Sequence, residues 1–99
     1  MQIDQLTPAQ VAADTGSTVV DVREPDEVAT GAIAGSTAIP LGQLTARVGQ
    51  LDPGTPVITV CQSGRRSQQA AEALAVAGLR VSNMAGGMNA WRDARLPIA

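Results

Sequence analysis

Histidine, lysine, tyrosine and phenylalanine are absent from these 99 residues, and cysteine and tryptophan occur once each. Without histidine there can be no serine–histidine–acid or cysteine–histidine hydrolase, and a zinc or transition-metal site has no natural ligand set. With a single cysteine no intramolecular disulfide can form. All seven cations are arginine, against nine acids, and the net charge of −2 gives no electrostatic case for nucleic acid or an anionic membrane. No apolar run approaches the roughly 20 residues of a membrane span. The opening "MQIDQLTPAQ" has acid and glutamine where a signal peptide needs basic then apolar residues. These absences lead to the expectation of one cytoplasmic domain over residues 1–99, and the alanine and arginine bias points to a bacterial source. Any nucleophile in such a chain must be activated by local electrostatics, because the usual base is missing.

The rest of the sequence alternates strand with helix. In "LTPAQVAADTG", Thr7 is the expected N-cap, with Pro8 at the first helical position, Gln10 completing a capping box and Gly16 after the end. "TVVDV" (Thr18–Val22) and "VITV" (Val57–Val60) are β-branched runs that suit strands covered on both faces. "EPDEVATG" predicts a short helix with acids in its first turn and Gly31 at its end, and "STAIP" a brief strand stopped by Pro40. Leu41, Leu44, Val48 and Leu51 share one helical face, and Asp52–Pro56 is a turn. A helix is expected from about Arg66 to Ala77, with Ala70, Leu74 and Ala77 on one face and Gly78 at its stop. "LRVSNM" reads as a last strand, and "GGMNAWRDA" as a glycine turn into a short helix carrying Trp91, a core residue. Short loops between such elements predict an α/β fold, a parallel sheet with helices on both faces.

Chemistry concentrates at "VCQSGRRSQQ". Cys61 ends an expected strand and precedes an expected helix, the place where parallel sheets build their sites. A loop that closes tightly and starts a helix turns successive backbone N–H groups inward and so cradles negative charge. Gly64 supplies backbone freedom, Ser63 and Ser67 leave room, and Arg65 and Arg66 add fixed positive charge. A thiol there should ionise readily. A lone cysteine at a strand end is often only a small apolar residue. The crowding of a glycine, two arginines and a serine beside this one, immediately before a helix, points instead to function. Cysteine phosphatases pair their cysteine with an arginine one position beyond Arg66, where this chain has Ser67. The smaller ring suits a smaller guest, such as the terminal sulfur of a persulfide. Sulfur transfer also needs no acid to protonate a leaving oxygen.

Three segments in order then resemble single-domain rhodanese sulfurtransferases: "VVDVREPDEVATGAIAGSTAIPLGQL", "VITVCQSGRRSQQAAEAL" and "NMAGGMNAWRDARLPI". The resemblance implies a five-stranded parallel sheet flanked by helices, and a Cys61 that cycles through a persulfide without any other cofactor or metal. It implies that the backbone from Gln62 through Ser63, Gly64, Arg65 and Arg66 to Ser67 holds the persulfide anion, with Arg65 and Arg66 attracting an anionic donor such as thiosulfate. Asp21 and Arg23 would be structural, as a strand-end acid and an ion-pairing arginine, and Gly86 and Gly87 would shape a turn beside the pocket. The family often has histidine where this chain has Ala32, which bears on local packing more than on chemistry. The implied partners are a small anionic sulfur donor and a cyanide, thiol or sulfur-relay-protein acceptor, for a monomer. A sulfur-carrier or interaction module, and less so a phosphatase or arsenate reductase, are the alternatives.

Overall fold

The computed structural model describes residues 2–99; Met1, the first residue of the expected 1–99 domain, lies outside the described residues. Five strands make one wholly parallel sheet: β1 (Asp4–Leu6), β2 (Thr18–Asp21), β3 (Thr37–Ala38), β4 (Val57–Val60) and β5 (Val81–Met84). Their order is β1-β5-β4-β2-β3, so fully buried β4 lies at the centre and the two shortest strands form the edges. Short edges limit the open backbone that a sheet offers to other chains. No helix among the described residues is long and apolar enough to cross a membrane.

The helices cover both faces, as the strand–helix alternation leads one to expect. One core gathers Val20, Val22, Ile39, Leu44, Leu51, Val57, Cys61, Ala70, Leu74 and Leu79 beneath α3 (Leu44–Arg47) and α4 (Arg65–Val76). The other gathers Val11, Ile58, Val60, Met84, Met88 and Trp91 beneath α1 (Pro8–Ala13) and α5 (Gly87–Asp93). Strand side chains alternate between faces. Along β4 this sends Val57 to the first core, Ile58 and Val60 to the second, and Cys61 back to the first, under α4.

Local signals placed several elements well. Thr7 and Gln10 form the expected reciprocal cap on α1, and Gly78, at φ 96°, stops α4 while Leu79 N–H donates to Leu74 O at 3.1 Å. Trp91 is buried and its indole N–H donates to Pro97 O at 2.9 Å. Asp14 caps the end of α1, its carboxylate taking the amides of Gly16 and Ser17 at 2.9 Å each, and Gly16 stands after the end as expected. Three details differ. Ala77 lies past the end of α4 and is exposed; the buried face is Ser67, Ala70, Ala71 and Leu74. The expected leucine helix breaks into α3 flanked by 3-10 turns at Leu41–Gln43 and Val48–Gln50, yet Leu44 and Leu51 are still buried on the intended side. Two glycines, Gly42 and Gly49, interrupt that stretch, and glycine weakens helix interiors. Strand β1 has no hydrophobic signature: Asp4 and Gln5 are exposed, and only pairing with β5 makes it a strand.

Candidate functional site

The loop from Cys61 to Ser67 joins the end of β4 to α4. Its shape is imposed largely by its neighbours. Cys61 O accepts from Met88 N–H at 2.8 Å and Gln62 O from Asn89 N–H at 3.0 Å. Gly64 O accepts from the buried Asn83 side chain at 3.2 Å and from Gln68 N–H at 3.2 Å. In a trans peptide the carbonyl and the N–H point in opposite directions. With those three carbonyls turned outward, the N–H groups of Gln62, Ser63 and Arg65 turn the other way, into the loop.

Three glycines permit this. Gly64 caps α4 in the left-handed region at φ 100°, and a Cβ there would lie 3.1 Å from Gly86 N. Gly86 and Gly87, at φ 76° and 57°, aim the first amides of α5 at the cysteine loop. A side chain on Gly87 would come within 2.6 Å of the Gln62 carbonyl carbon, so only glycine lets the two backbones meet.

The sulfur sits inside the cradle. Gly64 N–H donates to Cys61 Sγ at 3.0 Å and the Ser67 hydroxyl donates at 3.3 Å. Burial is the largest single influence on this thiol and pushes it up, but the hydroxyl and amide of Ser67 and the amides of Gly64 and Ser63 together hold it below its ordinary value. Donors that stabilise the thiolate therefore win over the low-dielectric surroundings. Clefts of about 390 and 490 Å³ open elsewhere, the first lined by Pro25, Val28, Pro40 and Arg47 among others; Cys61 lines neither.

The two arginines differ. Arg65 is exposed, with no side-chain hydrogen bond among the described residues. Arg66 reaches from the first turn of α4 to α2 (Pro25–Val28), where Nη1 and Nη2 clasp Glu27 Oε1 and Oε2 at 2.6 and 2.7 Å. This clasp holds the Glu27 carboxyl down to about 2 and raises Arg66, to which the nearby Cys61 charge adds. Below them lies the buried pair. Arg23 donates to Asp21 through Nε at 3.0 Å and Nη2 at 2.8 Å, and it also donates to Gly31 O at 2.9 Å, Glu27 O at 3.3 Å and Gln62 Oε1 at 3.2 Å. Arg23 thus ties β2 and α2 to the cysteine loop.

A rhodanese-like domain model matches residues 7–94. The chain belongs to the rhodanese-like family. A protein named sulfurtransferase from Allochromatium vinosum is 36% identical over 99 residues, covering 98% of this chain and 92% of that one. A protein named thiosulfate sulfurtransferase GlpE from Ectopseudomonas mendocina is 36% identical over 85 residues, or 85% of this chain and 78% of that one. Among solved structures, a rhodanese-related protein from Thermoplasma volcanium is similar at TM-score 0.93 and 31% identity, with 97% of each chain covered.

This rhodanese-like domain brings together, around the loop, the residues that the sequence singled out: Cys61 through Ser67, Asp21, Arg23, Gly86 and Gly87. Ala32 is apart from the sulfur; its backbone exchanges hydrogen bonds with Ala99 at 3.4 and 2.8 Å. Sequence reasoning missed Glu27, Asn83, Met88 and Asn89. Two of these act through backbone amides, which carry no residue-type signal, and Glu27 reads locally as a helix-start acid.

Proposed function

We propose that this rhodanese-like domain is a sulfurtransferase that takes sulfane sulfur from a donor such as thiosulfate and passes it on through a Cys61 persulfide. The observation that carries this reading is a buried thiol that accepts from Gly64 N–H and from the Ser67 hydroxyl, donors that favour its anion. The relative named thiosulfate sulfurtransferase supports thiosulfate as donor.

In the loading step the Cys61 thiolate attacks the outer sulfur of thiosulfate. A sulfur–sulfur bond forms to Sγ while the bond to the sulfonate sulfur breaks, and its electron pair leaves with sulfite. The new terminal sulfur carries the negative charge, which the inward N–H groups of Gln62, Ser63 and Arg65 meet. An incoming cyanide or thiolate then attacks that terminal sulfur and Cys61 leaves as thiolate again. No proton moves in either half with cyanide, so the missing histidine costs nothing. With one cysteine the persulfide has no internal resolving thiol, and release goes to an external acceptor, a small thiol, cyanide or a sulfur-relay protein. An unpaired reactive thiol suits a reducing compartment, and we place the work in the cytoplasm.

Intact mass after incubation with thiosulfate tests the reading. The reduced protein should gain one sulfur atom that cyanide removes, and Cys61→Ser should gain none. Absence of any gain from thiosulfate or other sulfane donors would leave a sulfur-free interaction module. Turnover of a phosphate ester instead would favour a phosphatase, against the loop being one residue short.

A further inference from the structure

We propose that Glu27 sets the charge preference of the sulfur donor, discriminating against the dianionic thiosulfate in favour of donors that carry one charge fewer. This rests on the sulfurtransferase reading of the Cys61 loop. Arg66 precedes Ser67, whose hydroxyl touches Sγ, and is close enough to feel the charge of Cys61. Both its terminal nitrogens already hold a carboxylate. A guanidinium meets carboxylate and sulfonate with the same forked geometry, so an entering sulfonate head competes with Glu27 for the same donors.

Glu27 is also fixed in place. Its Oε1 accepts from Glu24 N–H at 3.1 Å, closing the capping box of α2. The fold does not need the clasp to hold α2, because Arg23 already binds Glu27 O and Gly31 O from below. Exposed ion pairs of this kind contribute little to stability, and these side chains are 36% and 29% exposed. What the clasp does change is the charge at the mouth of the cradle. It cancels one of the two arginines, with exposed Glu24 adjacent, and leaves Arg65 as the free cation among the described residues of the loop. The repulsion from a fixed carboxylate scales with the charge of the guest.

The test compares thiosulfate with methanethiosulfonate, which delivers its outer sulfur to Cys61 and leaves as methanesulfinate, with one charge fewer at each stage. Steady-state kcat/KM is measured for both donors with cyanide as acceptor, in the parent and in Glu27→Gln. The ratio of thiosulfate to methanethiosulfonate should rise about fivefold to tenfold in Glu27→Gln at low ionic strength, and further in Glu27→Lys. Added salt should shrink that gain. Both donors use the same thiol, so any loss of folded protein cancels in the ratio. An unchanged ratio overturns the proposal. A lower one does too, and would mean that Glu27 aims Arg66 at the sulfonate. If the parent takes sulfur from neither donor, the sulfurtransferase reading itself has failed.

Discussion

Two arginine–carboxylate pairs flank the cysteine loop, and they are built for opposite purposes. Arg23 and Asp21 are two positions apart at the end of β2, with side chains 0% and 2% exposed. Arg66 and Glu27 are 39 positions apart, on α4 and α2, at the surface of the site. In the first pair every contact is internal: Asp21, Gly31 O, Glu27 O and Gln62 consume the Arg23 donors. In the second, one carboxylate occupies the fork, at a place open to water. Depth decides the role. A buried charge must be matched by the fold itself, whereas an exposed one can be shared with a ligand.

The largest effect should come from unmatching the buried pair. Asp21→Asn leaves Arg23 charged and buried without its counter-ion and should destabilise the domain by about 3–5 kcal/mol in denaturant titration. A loss under about 1 kcal/mol would show that Gly31 O, Glu27 O and Gln62 suffice and would break the contrast. Next comes the question of what holds the thiolate. Ser67→Ala removes a hydroxyl that donates to Sγ at 3.3 Å, and the thiol should titrate upward, followed by thiolate ultraviolet absorbance. Arg66→Gln should move it less, since hydrogen bonds from Ser67, Gly64 and Ser63 lead the influences that oppose burial. The reverse ranking would give the exposed arginine the larger hold on the sulfur.

The smallest effect should be on stability at the exposed pair. Glu27→Gln should change unfolding free energy by less than about 1 kcal/mol at neutral pH. The sign with pH follows from a folded carboxyl at about 2 against an ordinary 4.5. The unfolded state binds more protons between those values, so the contribution of the clasp is fully present above pH 4.5 and is lost as pH falls towards 2. The parent and Glu27→Gln should therefore converge in acid denaturation over that window. A parent advantage that persists below it would assign the stability to something other than the charge.

Much of the site was legible because its signals are local. The capping box of Thr7 and Gln10 involves neighbours in one turn, and the alternation of Val57 to Cys61 follows from strand pleat. The glycine, serines and arginines after Cys61 are contiguous, so the anion cradle could be inferred from one short window. Ala77 shows the same logic in reverse: it fits the helical period but falls just past the last turn of α4.

The amino-acid sequence by itself determined the alternation of strands and helices, the place of Cys61 between a strand and a helix, and a loop with the residues of an anion cradle. These depend on backbone propensities and on contacts among residues a few positions apart. Only the tertiary structure decided that polar Asp4–Leu6 is a strand beside β5, that amides of α5 turn the cysteine loop's carbonyls outward, and that Glu27 takes Arg66. Each of those joins segments more than 20 residues apart, where the path of the chain, set by the packing of two cores on one sheet, chooses the partner.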